Sequence, residues 1–241
     1  MTNKTIVLFT LLVAFVSTYS FSQNFEGVLS YSMDFELLEQ LKQMGVTKEV
    51  LAEKMKKENS FSKTINCSYK NQNYLIEMID NGTRSIYLGE DNTIYTRGKN
   101  EDLVVAIDAG IDLENLMFGT KAKIENKETD VVILGKKCNK VVITGKAGVS
   151  EYYYNSDFLK IDPELYKNHK YDMWYEFLSI SKSLPLRIVK EVKGMMKIKM
   201  ELINYKEEEI DVENFILPKM KIDEELSKFV PTKNQKIYKV E

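Results

Sequence analysis

The apolar positions of this chain change period several times. From Phe61 to Ser156 they recur every second residue, the spacing of strands with one buried face. Candidate strands are Phe61–Tyr69, Asn73–Asp80, Arg84–Leu88, Thr93–Arg97, Leu103–Ile107, Ala122–Asn126, Val131–Leu134, Asn139–Thr144 and Glu151–Asn155. Asn81-Gly82 marks a tight hairpin between two of them, because both residues accept positive φ. Short strands at such intervals predict an antiparallel meander. Parallel strands would need a helix in each interval, and there is no room for one. The two-residue period returns at Leu184–Lys190, Met195–Tyr205 and Ile210–Phe215, with Glu191–Gly194 as the first turn.

Helical spacing appears in two segments. In Glu36–Asn59, Leu37, Leu38, Leu41 and Met44 share a face, Gly45 suits a stop, and Thr47 suits an N-cap. Val50, Leu51 and Met55 continue the stripe beyond that cap. In Asp162–Ser181, Asp162-Pro163-Glu164 opens a short helix that ends near His169. A second short helix from Asp172 to Ser181 carries Met173, Trp174, Phe177 and Leu178. Ahead of all this, Gln23–Phe35 reads as extended, with a bend or bulge at Gly27.

These elements predict an α+β fold. A twisted antiparallel sheet of about 11 strands must curl, giving an incomplete β-barrel with a concave apolar face. The helices are too few to cover the outside of such a sheet and are suited to plugging its concave side. Residues 23–241 form a single domain in this reading, with no internal repeat and no linker.

Composition places the protein. Met1–Ser22 has the form of a secretory signal peptide, with Lys4 ahead of an apolar Ile6–Val16 and small residues at Ser20 and Ser22. Cleavage is expected between Ser22 and Gln23, and the apolar run is shorter than the roughly 20 residues of a membrane span. No cysteine stands near that point to take a lipid. A soluble, periplasmic or otherwise exported monomer with no transmembrane segment is therefore expected. The net charge of −2 gives no footprint for nucleic acid. The hydrophobic content of 44% is enough for a substantial core.

Candidate chemistry is sparse. Two cysteines, Cys67 and Cys138, are candidates for a disulfide in an exported protein, or for two buried thiols. With one histidine beside them, a protein-built zinc site is not expected, nor is any other metal or cofactor. His169 reads as a cation suited to a helix C-terminus. Glu207, Glu208 and Glu209 read as a solvated acidic turn. No nucleophile elbow, phosphate loop, dinucleotide fingerprint or zinc-protease motif occurs, so no catalytic constellation is expected and the chain does not read as an enzyme.

The distinctive supply is flexible and aromatic apolar side chains on alternating positions. Tyr74 and Met78 share a face with Ile76; Tyr152 and Tyr154 share another; Met196, Ile198 and Met200 share a third with Leu202. Met173, Trp174 and Phe177 would meet them from the helical plug. These ten residues, Tyr74, Met78, Tyr152, Tyr154, Met173, Trp174, Phe177, Met196, Ile198 and Met200, are the candidate lining of an apolar ligand cavity.

Four local motifs carry a resemblance. They are Phe25-Glu26-Gly27-Val28-Leu29-Ser30-Tyr31, Gly135-Lys136-Lys137-Cys138-Asn139-Lys140, Leu184-Pro185-Leu186-Arg187-Ile188, and Val212 followed by Phe215-Ile216-Leu217-Pro218. In this order, over about Phe25–Pro218, the chain resembles the LolA/LppX superfamily of envelope lipid and lipoprotein carriers. It is most similar to the exported Bacteroidetes family labelled DUF4412. The resemblance implies a half-barrel closed by helices around a cavity for a lipid or lipoprotein acyl chain. Its implied partners are an apolar ligand and envelope lipoproteins. Carriers of this type use an arginine near the cavity to help hold the lid; this chain departs from them, since none of Arg84, Arg97 and Arg187 matches that arginine. The alternative is a non-catalytic envelope module, structural or protein-binding, whose core is fully packed.

Overall fold

The computed structural model describes residues 24–58, 60–230 and 234–241. The signal-peptide reading and its cleavage point lie outside the described residues.

Two antiparallel meanders build the sheet. The first comprises β1 (Gly27–Leu37), β2 (Thr64–Lys70), β3 (Asn73–Met78), β4 (Arg84–Leu88), β5 (Thr93–Arg97) and β6 (Leu103–Asp108). The second comprises β7 (Lys123–Ile133), β8 (Lys136–Thr144), β9 (Gly148–Tyr154), β10 (Arg187–Val192) and β11 (Met196–Glu207). β11 returns beside β1, with Leu37 opposite Met196 and Gly27 opposite Glu207, and a register shift at Ser30/Tyr31. That pairing fuses both meanders into one sheet. β13 (Gln235–Val240) adds to β6, and β12 (Met220–Ile222) adds to β13. The described residues thus form one curled, unclosed antiparallel sheet of 13 strands, with β12 and β7 at its edges.

Alternation decides which side chains meet inside the curl. Leu29 and Tyr31 of β1, Ile65, Cys67 and Tyr69 of β2, Tyr74 of β3, Tyr152 and Tyr154 of β9 and Leu202 of β11 all join the main core. Two helices, α1 (Glu39–Gln43) and α2 (Lys48–Lys57), cap one end of this face. There Met55 packs with Phe35, Leu37 and Phe61. Thr47 caps α2 as expected, its Oγ1 accepting from the Val50 amide at 3.3 Å. Leu37 belongs to the strand rather than the helix, and Met44 and Val50 are exposed. β1 runs farther than its period suggested because its last residues pair with β11.

Three further segments differ from expectation. Ala122–Asn126 and Val131–Leu134 form one strand, β7, with a register shift against β8 between Glu128 and Val132. Ile210–Phe215 is not a strand. Its Val212–Phe215 part is a 3-10 turn that lays Ile210 and Phe215 on Leu75 and Ile86, on the convex side of the sheet. Finally, α3 (Leu113–Phe118) was too short to show a period. Asp112 caps it, accepting from the Asn115 amide at 3.0 Å, and Gly119 ends it in the left-handed region.

At the start of β9 the neighbouring backbone requires a glycine. Gly148 opens β9 at φ +157, and a Cβ there would fall on the carbonyl oxygen of Glu191. Gly148→Ala is expected to cost about 1–3 kcal/mol in chemical denaturation, through backbone strain at this strand pair. A change within 0.5 kcal/mol, the usual range for an ordinary surface substitution, would show that the pair yields freely.

Candidate functional site

Between β9 and β10 the chain leaves the sheet and forms a roof over its concave face. Asp162 starts a 3-10 turn, Pro163–Tyr166, by accepting from the Glu164 amide at 3.0 Å, with Pro163 in the first turn. A second 3-10 turn, Tyr171–Met173, leads into α4 (Trp174–Ser181). The amides of Lys170 and Tyr171 both donate to the Ala109 carbonyl, at 2.7 and 2.8 Å, tying the roof to the end of β6. Phe177 and Leu178 are fully buried beneath α4. The Phe177 ring stacks on Tyr152 at 4.7 Å and meets Tyr154 edge-on at 6.1 Å. Trp174 meets Tyr74 and Tyr152 edge-on at 6.4 and 6.5 Å, joining rings from both arms of the sheet.

A cavity of about 300 Å³ remains under this roof. Tyr74, Tyr152, Trp174 and Met200 line it. The other six candidates do not. Tyr154 and Phe177 are packed core that anchors the roof. Met173 faces a second cavity, described below. Ile198 packs against the Phe35–Met55 cluster under α1 and α2. Met78 and Met196 are half-buried and line neither cavity. Alternation thus placed Tyr74, Tyr152 and Met200 at this cavity, while the remaining strand positions pack elsewhere or line neither cavity.

The polar groups of this cavity largely satisfy one another. Tyr31 Oη donates to the Pro185 carbonyl at 2.7 Å. Tyr152 Oη donates to the Asp172 carbonyl at 3.2 Å. Ser85 and Thr96 hydroxyls pair at 2.9 Å. Tyr74 Oη lies 2.9 Å from His169 Nε2. With the hydroxyls of Tyr31, Tyr74 and Tyr152 engaged, these tyrosines offer chiefly their rings to the cavity.

His169 is not the helix C-terminal cation that its position suggested. It is 2% exposed, among Tyr74, Tyr87, Tyr166 and Trp174. Burial pushes its pKa down to about 4, outweighing the nearby Asp172 carboxylate, so the imidazole is neutral at neutral pH. Its Nδ1 and the Trp174 Nε1 are buried without a hydrogen-bond partner. Cys67 lines the same cavity. Sequence spacing gave no reason to place it near His169. Burial pushes its thiol up to about 12, with Glu77 adding to the effect, so it is a protonated thiol rather than a nucleophile. Cys67 on β2 and Cys138 on β8 lie five positions apart in the sheet order, and both are free and buried.

Sequence reasoning missed a charged pair at the cavity. Lys190 of β10 forms an ion pair with Asp172 of the roof, and both line the cavity. Burial opposes the Lys190 charge, but the Asp172 carboxylate prevails and holds the ammonium above the usual lysine range. The signal was present: Leu184, Leu186, Ile188 and Lys190 alternate on the inward face, so a lysine stands where an apolar residue was due. Among the described residues, no arginine lines the cavity. Arg84 pairs with Glu77 at 3.1 Å, Arg187 with Glu201 at 2.6 Å, and Arg97 donates to the Glu101 carbonyl at 2.6 Å.

The same two residues, Asp172 and Lys190, also line a second apolar cavity of about 260 Å³. Its walls include Leu113, Met117 and Phe118 of α3, Ala122, Met173 and Val192. A larger hollow of about 570 Å³, beside Glu26, Lys70 and Glu207–Glu209, is polar in its lining. Several of its charges are paired: Lys70 with Glu26 at 2.6 Å, Lys160 with Asp157 at 3.6 Å, and Glu208 with Lys206 at 2.5 Å. Among the described residues, no three His, Cys, Asp or Glu side chains converge to hold a metal, and no helix is long and apolar enough to cross a membrane.

The sequence matches no family model and no curated protein.

Proposed function

We propose that this protein is an exported, non-catalytic binding or carrier protein for an apolar ligand, such as a lipid or a lipoprotein acyl chain. The observation that supports it most is the roofed cavity of about 300 Å³, lined largely by aromatic and aliphatic side chains, with the hydroxyls of Tyr31, Tyr74, Ser85 and Thr96 already partnered. That volume is at the small end of ligand sites, which run to about 1,000 Å³. Burial would supply the affinity, at about 25 cal/mol per Å² of apolar surface removed from water. Release would require the roof, Tyr171–Ile180, to move. The N-terminal segment and the carrier-like motifs support the envelope as the place of action.

Mass spectrometry of an organic extract tests this, using the protein purified after export in a Gram-negative host. A stoichiometric lipid or fatty acid is expected. Met200→Trp, which projects into the cavity, is expected to abolish co-purification while changing stability by less than about 1.5 kcal/mol. Met196→Trp, away from the cavity, should retain the ligand. A clean extract combined with an overpacking cost of about 1–3 kcal/mol for Met200→Trp would point instead to a packed envelope module.

A further inference from the structure

The Asp172–Lys190 pair belongs to both apolar cavities at once. On one side lies the inner cavity, against Tyr152, Ile188 and Met200. On the other lies the outer cavity, against α3 and Ala122. No other described residue is shared between the two linings. Asp172 and Lys190 therefore stand where the two linings meet. A partly exposed ion pair stabilises a fold little, because water screens its attraction. Neither side chain is sealed in: Lys190 is 36% and Asp172 40% exposed.

The backbone at the partition is also unusual. Asp172 and Met173 both adopt left-handed conformations, with φ 59 and φ 57, although neither is glycine. Two consecutive residues in that region store backbone strain. They form the bend joining the second 3-10 turn to α4, so a change there would carry Asp172 away from Lys190 without dismantling the sheet. The outer cavity opens beside exposed apolar side chains of α3, with Met117 65% and Phe118 36% exposed.

We propose that the Asp172–Lys190 pair is a movable partition between two chambers of one binding tract, and that the ligand is a single unbranched alkyl chain that threads both when the pair parts. Each chamber alone is small, at about 300 and 260 Å³, and the two share this one side-chain pair. A flexible chain fits that shape; a rigid polycycle or a paired-chain lipid does not. This inference rests on the carrier reading and names its ligand class.

Chain-length dependence tests it. Saturated fatty acids of eight to eighteen carbons are titrated against delipidated protein, with the same chains as N-acyl dipeptides in parallel. Affinity is expected to rise about fourfold per methylene, the value of full burial, and to keep rising through sixteen carbons. Ala122→Trp and Leu113→Trp each fill the outer chamber from a different element, so the rise should stop at a shorter chain in both. The series that binds more tightly, free acid or acyl peptide, shows whether the chain arrives alone or on a protein; either supports the proposal. If short chains bind but the rise stops at the same length in wild type and both variants, the carrier reading stands and the shared tract is overturned. If no chain of any length binds, both fail.

Discussion

Phe177→Ala is expected to destabilise the protein by about 3–5 kcal/mol, because it empties the centre of the contact between roof and sheet. Phe177 is fully buried on the inner side of α4 and stacks on Tyr152 at 4.7 Å. α4 is only eight residues long and makes no side-chain cap hydrogen bond at its N-terminus. So short a helix has little stability of its own, and packing holds it in place. Removing the ring leaves a void that the curled sheet cannot close, because Tyr152 and Tyr154 are fixed by strand pairing. In thermal unfolding this corresponds to a fall of about 2–4 °C per kcal/mol for a domain of this size. Loss of the roof should also release any apolar ligand. A cost below about 1.5 kcal/mol would mean that α4 is held chiefly by other contacts.

The second large effect is a pH dependence centred on His169. In the unfolded chain it titrates near 6.5; in the fold, burial lowers it to about 4. Between these values the unfolded state binds a proton that the folded state refuses. Stability therefore falls as pH drops from about 6.5 to 4, and the loss below the folded pKa is about 3 kcal/mol. Above pH 6.5 the group contributes no pH dependence. Carboxylates held below their usual range act at lower pH and with the same sign: Glu26 through its hydrogen bond from Lys70, and Asp34 through its hydrogen bond from Lys48. Urea unfolding of wild type and His169→Gln from pH 7.5 to 4 separates the contributions, since the carboxylates are common to both. The wild-type curve should fall more steeply, by roughly 3 kcal/mol across the window. Parallel curves would mean that His169 takes up its proton in the folded state at an ordinary pH.

Much of the sheet was legible in the chain. The β4 and β5 boundaries follow from alternation and turn residues alone, because a half-buried strand leaves its period in the sequence. The cap at Thr47 and the Asp162-Pro163 start were also readable, since capping is a local hydrogen bond made by a local residue. β12 and β13 were not. One is three residues long, and the other gains its partner, β6, from more than a hundred residues away. Ile210–Phe215 misled for a related reason. Its apolar residues face the convex side of the sheet, and nothing in their spacing distinguishes that from a strand.

The site divides in the same way. Tyr74, Tyr152, Trp174 and Met200 could be placed on inward faces from period alone. Tyr154 and Phe177 carry the same signal, yet they fill space rather than line it, because packing depends on which rings meet across the curl. The sequence by itself determined the alternating apolar face, the turns and the two helical interruptions, since each depends on residues within a few positions of one another. Only the tertiary structure decided that β11 would close on β1, and that His169 would be buried neutral against Tyr74. It alone set Lys190 and Asp172 between two cavities. Those outcomes join residues 18 to about 180 positions apart, and they follow from how the sheet curls.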